Sequence, residues 1–561
     1  MTSVRSWIRQ GEPLGFAAGR VTDGLWLAWT LALTAIFSRV AAVNLANFRP
    51  VSNDEVWIMS ASYKLATQGV FGSDLWAGFF NAERHYFIAL PVHHILQALL
   101  FRIAGADVTQ ARLVSLIGAV VLIWTVSWLA YRWYGLTAAL LAGVLLVFWR
   151  SNLTASWPGL PLLAVARSGR YDVSAVAWVW LSILLLDTHL RRPGRATALL
   201  LGITSGLATL TQFFGAAVLP LIGLAWVWQR GKGALKDRTI FWLLAGLAAV
   251  LLPYALYATL HYPDLLGQTI LKGERAHFTS PQFYLNNALT EFRRFSSLLG
   301  RSTPTWAAPD AFDRPYSPWL AAVAFWPALI FLVARVRRGD AIGDRTLFLS
   351  IAVLWGFLWL LDQTKAPLYA IILLPSLCIL LAASWTTLLR WSFWPARPAL
   401  ARLLLSSAAA ALLIVIVVES GRAHAVDLTQ AAQVSSYMEV GQAIDSFLPP
   451  GARLLGAERW WWALRGHPYL SMYNVWAQWN VARQSGGPLP EFADWVEETR
   501  TDFIIVNSDV RYPPDDLLLD QYSTFLQSCS LQVAAWSDPN YGDIEVYQVA
   551  KTSSGVLACE P

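Results

Sequence analysis

Long apolar runs recur between residues 24 and 419, separated by short polar segments. Runs of this kind suit a hydrocarbon core ~30 Å thick. They predict membrane spans at 24–44, 112–131, 135–149, 172–190, 197–212, 214–229, 239–259, 318–335, 346–361, 368–388 and 403–419, about eleven in all. Several are short and must cross with little tilt or thin the bilayer locally. Pro220, Pro253 and Pro375 fall in or at the ends of spans, where neighbouring helices compensate for lost backbone bonds. Segment 86–104 interrupts the pattern, because its helical spacing carries Pro91, His93, His94, Gln97 and Arg102. We read it as an amphipathic helix on the outer interface. A full crossing would need a compensating one near 153–167, and Pro158 and Pro161 stand against that.

Beyond residue 420 the pattern changes. A polar helix is expected at 428–447 and a strand from Arg453, followed by a helix near 490–500 and a strand from Phe503. A helix over 515–527 then precedes strands at Leu531–Trp536 and Ile544–Val549. This alternation predicts a small α/β domain. The expected architecture is an all-α polytopic membrane domain over 1–420, followed by a soluble α/β domain over 421–561.

Composition agrees: 56% of residues are hydrophobic and 14% charged, against about a quarter charged in soluble proteins. The 30 Trp suit the aromatic belts of membrane interfaces. Charge supplies orientation. Residues 421–561 hold 8 basic and 17 acidic side chains, so the rest of the chain is strongly basic. That excess lies in short loops such as 131–134, 190–195, 229–232, 335–338 and 390–402, which are predicted to be cytoplasmic. It gives no reason to expect nucleic acid as a partner. The N-terminus, with Arg5, Arg9 and Arg20, is placed inside, and the first apolar run exceeds a signal-peptide core. Loops 45–111, 150–171, 260–317 and 362–367 are then outside, as is everything after Glu419. Cys378 reads as packing in a span, whereas Cys529 and Cys559 share the outer domain, where a disulfide could form.

Ionisable groups at the outer ends of spans carry the chemical signal, since a charge beside hydrocarbon is costly without a partner or a task. Asp54 and Glu55 stand just beyond the first span, and Arg170-Tyr171-Asp172 immediately before a later one. Topology sets the two acidic positions at one depth without proving that they meet. His85, His93, His94 and His277 raise a metal site as an alternative, but His93 and His94 are adjacent and do not share a helix face, which disfavours it. Trp460, Trp461 and Trp462 suit packing better than a sugar-binding face.

This loop arrangement resembles the C-type (GT-C) glycosyltransferase superfamily, and within it the branch of protein O-mannosyltransferases and lipid A aminoarabinose transferases. Five pieces carry the resemblance in order: Asp54-Glu55; Glu83-Arg84 with an aromatic-rich helix after it; Arg170-Tyr171-Asp172; Glu274-Arg275-Ala276-His277 with Pro281 to Tyr284; and Lys365-Ala366-Pro367-Leu368-Tyr369. His85-Tyr86 replaces the prolines usual in the second piece. The resemblance implies a multi-pass enzyme of the bacterial plasma membrane that moves a sugar from a polyprenyl-phosphate donor to a lipid, glycan or protein acceptor, with inversion. The reaction needs a base for the acceptor and cations for the departing phosphate. The roles it implies are Asp54 as base, Glu55 assisting or orienting it, and Asp172 positioning the acceptor or binding a cation. Arg84, Arg170, Arg275 and Lys365 become candidate phosphate clamps, and Glu83, Tyr171, His277, Tyr284 and Tyr369 candidate substrate contacts. Against these stand plainer roles: Asp54 and Asp172 as helix caps, and the cations as ligands of lipid head groups. A divalent cation is left open, because the superfamily includes members with and without one. A lipid-linked glycan polymerase or ligase is the enzymatic alternative, and a transporter of such lipids the non-enzymatic one.

Overall fold

The computed structural model describes residues 16–149, 162–273, 278–294, 317–339, 341–392, 399–486, 489–507, 516–552 and 556–559. In chain order the membrane part comprises α1 (Phe16–Ala41), α2 (Asn53–Gln68), α3 (Pro91–Ala104), α4 (Val108–Tyr134), α5 (Leu136–Phe148), α6 (Leu162–Ala166), α7 (Asp172–Arg191) and α8 (Arg195–Thr209). It continues with α9 (Val218–Arg230), α10 (Thr239–Leu260), α11 (Tyr262–Gly273), α12 (Pro281–Thr290), α13 (Ser317–Arg338), α14 (Ile342–Leu361), α15 (Leu374–Ser392) and α16 (Ala399–Gln433). A helix occupies each expected span, but length and apolarity alone support six crossings among the described residues: Val21–Ala41, Val108–Tyr134, Asp172–Arg191, Phe213–Arg230, Thr239–Leu260 and Ile342–Leu361. Two further apolar helices, Leu136–Phe148 and Leu374–Leu388, are shorter. The protein is an integral membrane protein. Its lipid-facing character is plainest on α10, where Phe241, Leu244, Leu252, Leu256 and Leu260 are all exposed.

Segment 86–104 yields only the 14-residue α3, about 21 Å long and too short to span. Its faces are inverted relative to a soluble helix. Ile95, Leu99 and Ile103 form an exposed apolar stripe at four-residue spacing, while His93, His94 and Gln97 are fully buried.

The C-terminal domain, the outer domain of the expected topology, adds α17 (Tyr437–Asp445), β1 (Leu454–Gly456), β2 (Tyr469–Ser471), α18 (Met472–Gln484), α19 (Phe492–Glu498), β3 (Phe503–Asn507), α20 (Asp516–Ser528), β4 (Ser530–Asp538) and β5 (Gly542–Val549). Its mixed five-stranded sheet has the order β2-β1-β3-β5-β4. β1 runs parallel to β2 and β3, and β5 antiparallel to β3 and β4. Side chains alternate across it. Leu455 and Ile504 face α18–α20. Leu454, Phe503 and Ile505 join a second core that includes Val51, Val56, Trp76, Tyr86 and Ala111 from the first outer loop and its flanking helices. Trp460 and Trp462 are fully buried in this second core. Cys529 and Cys559 form a disulfide.

The expected division at residue 420 falls inside the 35-residue α16. Near its outer end the Ala431 carbonyl accepts a bond from Asn44 Nδ2 at 2.7 Å, and the Tyr437 N–H donates to Asn47 Oδ1 at 3.0 Å. The outer domain is thereby pinned to the turn that precedes α2.

Candidate active site

The site starts with local rules at the head of α2. Ser52 is the N-cap and accepts the Glu55 N–H at 3.4 Å, half of a capping box. Asp54 is thus not the cap. It lies in the first turn, where the helix dipole favours an anion, and its side chain is 47% exposed. The helix closes at Gly69, in the left-handed region with φ +71°.

Glu55 does not close the box. It is 1% exposed and makes a bidentate pair with Arg112 at 2.7 and 2.8 Å. Arg112 also donates to the Leu45 and Arg49 carbonyls at 2.7 and 2.9 Å. Of the two roles expected of Glu55, assisting the base or orienting it, the geometry favours the second, because both its oxygens are engaged by Arg112. Glu55 has a positioning role, since its Oε1 also accepts the Gly169 N–H at 2.7 Å. A Cβ on Gly169 would lie 3.0 Å from that same oxygen, so the approach needs glycine. The Gly169 carbonyl accepts from His93 Nε2 at 3.1 Å and from Gln97 at 2.9 Å. His93 Nδ1 then faces the Ser174 hydroxyl at 3.1 Å. Burial pushes His93 down to about 3 and His94 to about 4, so both are neutral and knit helices together.

This framework delivers Arg170. Its guanidinium bridges Asp54 on α2 and Asp172 on α7, the latter at 2.8 Å. Burial works against the Arg170 charge, but Asp172, Asp54 and Tyr171 outweigh it and hold the group well above its usual range. Asp172 is fully buried at the first position of α7, one residue past the N-cap Tyr171. The two acidic positions that topology set at one depth therefore meet laterally, through a cation supplied by the chain itself. The chain's own guanidinium thus supplies the positive charge between these two carboxylates.

Tyr171 and Tyr369 stand beside this cluster. Burial and the neighbouring Asp172 and Asp54 carboxylates push Tyr171 up to about 12, against the pull of Arg170. Tyr369, in a 3-10 turn at Pro367–Ile372, packs on Phe213 and Phe214 and is raised by burial, Tyr171 and Asp172.

The other expected residues fall elsewhere. Lys365 is buried, with its ammonium on Glu291 at 2.8 Å and the Trp359 carbonyl at 2.9 Å. Glu291 in turn binds Arg294, which reaches Asp362 at 2.8 Å. Lys365 thus belongs to a buried ionic knot and is not an open phosphate clamp. Glu83 accepts the Gly78 N–H at 3.3 Å, and Arg84 is exposed. The Tyr284 hydroxyl is engaged by the Phe278 carbonyl at 2.8 Å. Glu274, Arg275 and His277 lie outside the described residues.

Arg112, His261 and Asp264 escaped the sequence reading. Arg112 looked like the edge of an apolar span. His85, His261 and Asp264 converge with donor atoms within 4.8 Å of one another. His85 Nδ1 is 2.7 Å from Asp264, and the two imidazoles stack at 3.6 Å. This set of two nitrogens and a carboxylate fits a transition-metal ion.

No protein-family model matches the chain, and no curated protein matches it. Solved structures do. ArnT from Cupriavidus metallidurans bound to undecaprenyl phosphate aligns over 94% of this chain and 99% of its own, with a TM-score of 0.62 and 15% identity. The archaeal oligosaccharyltransferase AglB from Archaeoglobus fulgidus, in complex with an inhibitory peptide and a dolichol-phosphate, aligns over 94% of this chain and 74% of its own, with a TM-score of 0.50 and 12% identity. The Archaeoglobus fulgidus oligosaccharyltransferase in complex with Zn and sulfate aligns over 91% of this chain and 72% of its own, with a TM-score of 0.53 and 12% identity. At these identities the likeness is one of fold. The chain shares the fold of these structures, in keeping with the resemblance that the loop motifs carry.

Proposed function

We propose that the protein is a membrane glycosyltransferase that moves a sugar from a polyprenyl-phosphate donor to a lipid, glycan or protein acceptor on the extracytoplasmic face. The observation that carries this reading is the Asp54–Arg170–Asp172 cluster, set where the helical bundle meets the outer domain. The undecaprenyl phosphate on ArnT supports a lipid-phosphate donor. Asp54 is the base, because it is the member of the cluster open to solvent and takes the acceptor's proton as the anomeric bond forms. Asp172 holds Arg170, and Arg170 holds Asp54 in place and offsets negative charge as the phosphate departs. Arg84, exposed on the same outer loop, is the cation that reaches the donor phosphate. Direct displacement inverts the anomeric centre. If a divalent cation is needed, His85, His261 and Asp264 would hold it, fixing α11 to the first outer loop. Acidic groups at helix ends favour one-sided chemistry over alternating access.

The test is Asp54→Asn in membranes supplied with labelled polyprenyl-phosphate sugar. Transfer should fall by about 10²–10⁴-fold with folding preserved, because the side chain is half exposed. Transfer at the wild-type rate would remove Asp54 as the base.

A further inference from the structure

One buried carboxyl has no part in the scheme above. Glu458 opens a 3-10 turn, Glu458–Trp460, directly after β1 and is fully buried. Its Oε1 accepts the Ser471 hydroxyl at 2.8 Å and the Tyr473 N–H at 3.0 Å. Its Oε2 is buried without a hydrogen-bond partner. Such an atom is expensive to leave unsatisfied, and a proton on the carboxyl lessens the cost by removing its buried charge.

The turn packs on the head of α2. The Arg459 N–H donates to Asn53 Oδ1 at 3.1 Å, one residue before Asp54. Trp57, one helical turn after Asp54, packs its ring on Tyr473 at 4.7 Å. Glu458 and Asp54 therefore lie at the same seam, one from each side of it. Their surroundings differ. Asp54 has half-exposure and a guanidinium; Glu458 has burial and only neutral donors. The titratable and charged groups that face Glu458 are Asp54 from α2, Tyr469 from β2 and Arg459 from its own turn. Tyr437 and Tyr541 stand behind Arg459. Burial, with a further contribution from Asp54, raises Glu458 to about 7. A carboxyl held protonated beside a solvent-open one can donate a hydrogen bond where the other accepts.

We propose that Glu458 is a third carboxyl of the Asp54 site, contributed by the outer domain, whose Oε2 carries a proton and donates a hydrogen bond to the acceptor group that Asp54 deprotonates. The inference rests on the transferase reading. The acceptor's proton goes to Asp54 and its oxygen or nitrogen forms the new glycosidic bond; the Glu458 proton stays on Glu458. Below about pH 7 the donor is present, and above it the carboxylate can only accept.

The experiment compares wild type, Glu458→Gln and Glu458→Ala in membranes containing their own acceptor, supplied with undecaprenyl phosphate loaded in turn with labelled hexoses and pentoses. Glutamine keeps a donor and does not titrate, so E458Q should lose at most about threefold at low pH and lack the wild-type decline above pH 7. E458A should lose about tenfold or more, one hydrogen bond's worth. Infrared titration of the purified protein supplies a readout free of activity: a protonated carboxyl band with a midpoint near 7, absent from E458Q. Parallel pH profiles for wild type and E458Q, an E458A as active as wild type, or no such band would each overturn the proposal. Failure of the transferase reading looks different: Asp54→Asn keeps its transfer, or no labelled sugar moves at all, whatever the infrared band does.

Discussion

Of the first-loop acids, Glu55 is locked inside the framework and Asp54 stands open to solvent, although the two are adjacent. Glu55 faces a guanidinium that is itself 1% exposed. Removing one partner from a buried pair leaves the other uncompensated, at about 3–5 kcal/mol. Glu55→Gln should therefore lower the unfolding temperature sharply, whereas Asp54→Asn should barely change it. Replacing Glu55 and Arg112 together with apolar residues should recover much of the loss in thermal unfolding. Failure of the double variant to recover would show that the Arg112 bonds to Leu45 and Arg49 matter more than its charge. The sequence made Asp54, Asp172 and Arg170 legible because each sits at a span end, where charge is conspicuous. It could not reveal that Arg170 joins the two acids or that Glu55 turns inward. Those facts depend on Arg112 and Gly169, which are 57 and 114 residues from Glu55 in the chain. Glu458 was hidden for the same reason: nothing in a Glu-Arg-Trp-Trp-Trp run states what lies across from it.

Among the elements, the helices announced themselves through apolar runs and most strands through alternation. β2 and α18 did not. Three residues are too few to display a period, and the buried face of α18 combines Met472, Val475 and Trp479 with Asn474 and Asn480. The segment carrying α3 was legible as an exception, and its polar face is explained by the Gly169 peptide it serves. The Lys365 turn shows the opposite outcome. Its motif suggested a phosphate contact, yet the ammonium closes a knot between the end of α12 and the loop after α14. Burial lowers the proton affinity of Lys365, with Glu291 opposing the shift. Lys365→Ala is expected to reduce thermal stability while leaving donor KM within about twofold, an effect below ~0.5 kcal/mol. A tenfold rise in donor KM at unchanged stability would restore Lys365 as a clamp.

In the whole molecule, two domains read from composition share one core. The sheet's inner face packs on the first outer loop, so the site is roofed by the C-terminal domain instead of opening beneath it. The mast of that roof is α16. Its 35 residues extend about 52 Å, well beyond a ~30 Å hydrocarbon core. The upper end is tied to Asn44 and Asn47, a few residues before Asp54. If the bilayer holds its lower, apolar half, a rod of fixed length fastened a few residues before Asp54 acts as a depth gauge, and bilayer thickness becomes a variable of the proposed reaction. Reconstituted into vesicles of graded acyl length, the enzyme should show a peaked transfer rate while its unfolding temperature in detergent stays constant. A flat response would mean that α16 slides freely in the lipid. A peaked one would mean that the membrane tunes the turn before Asp54 without touching it, as the length of a string sets its pitch.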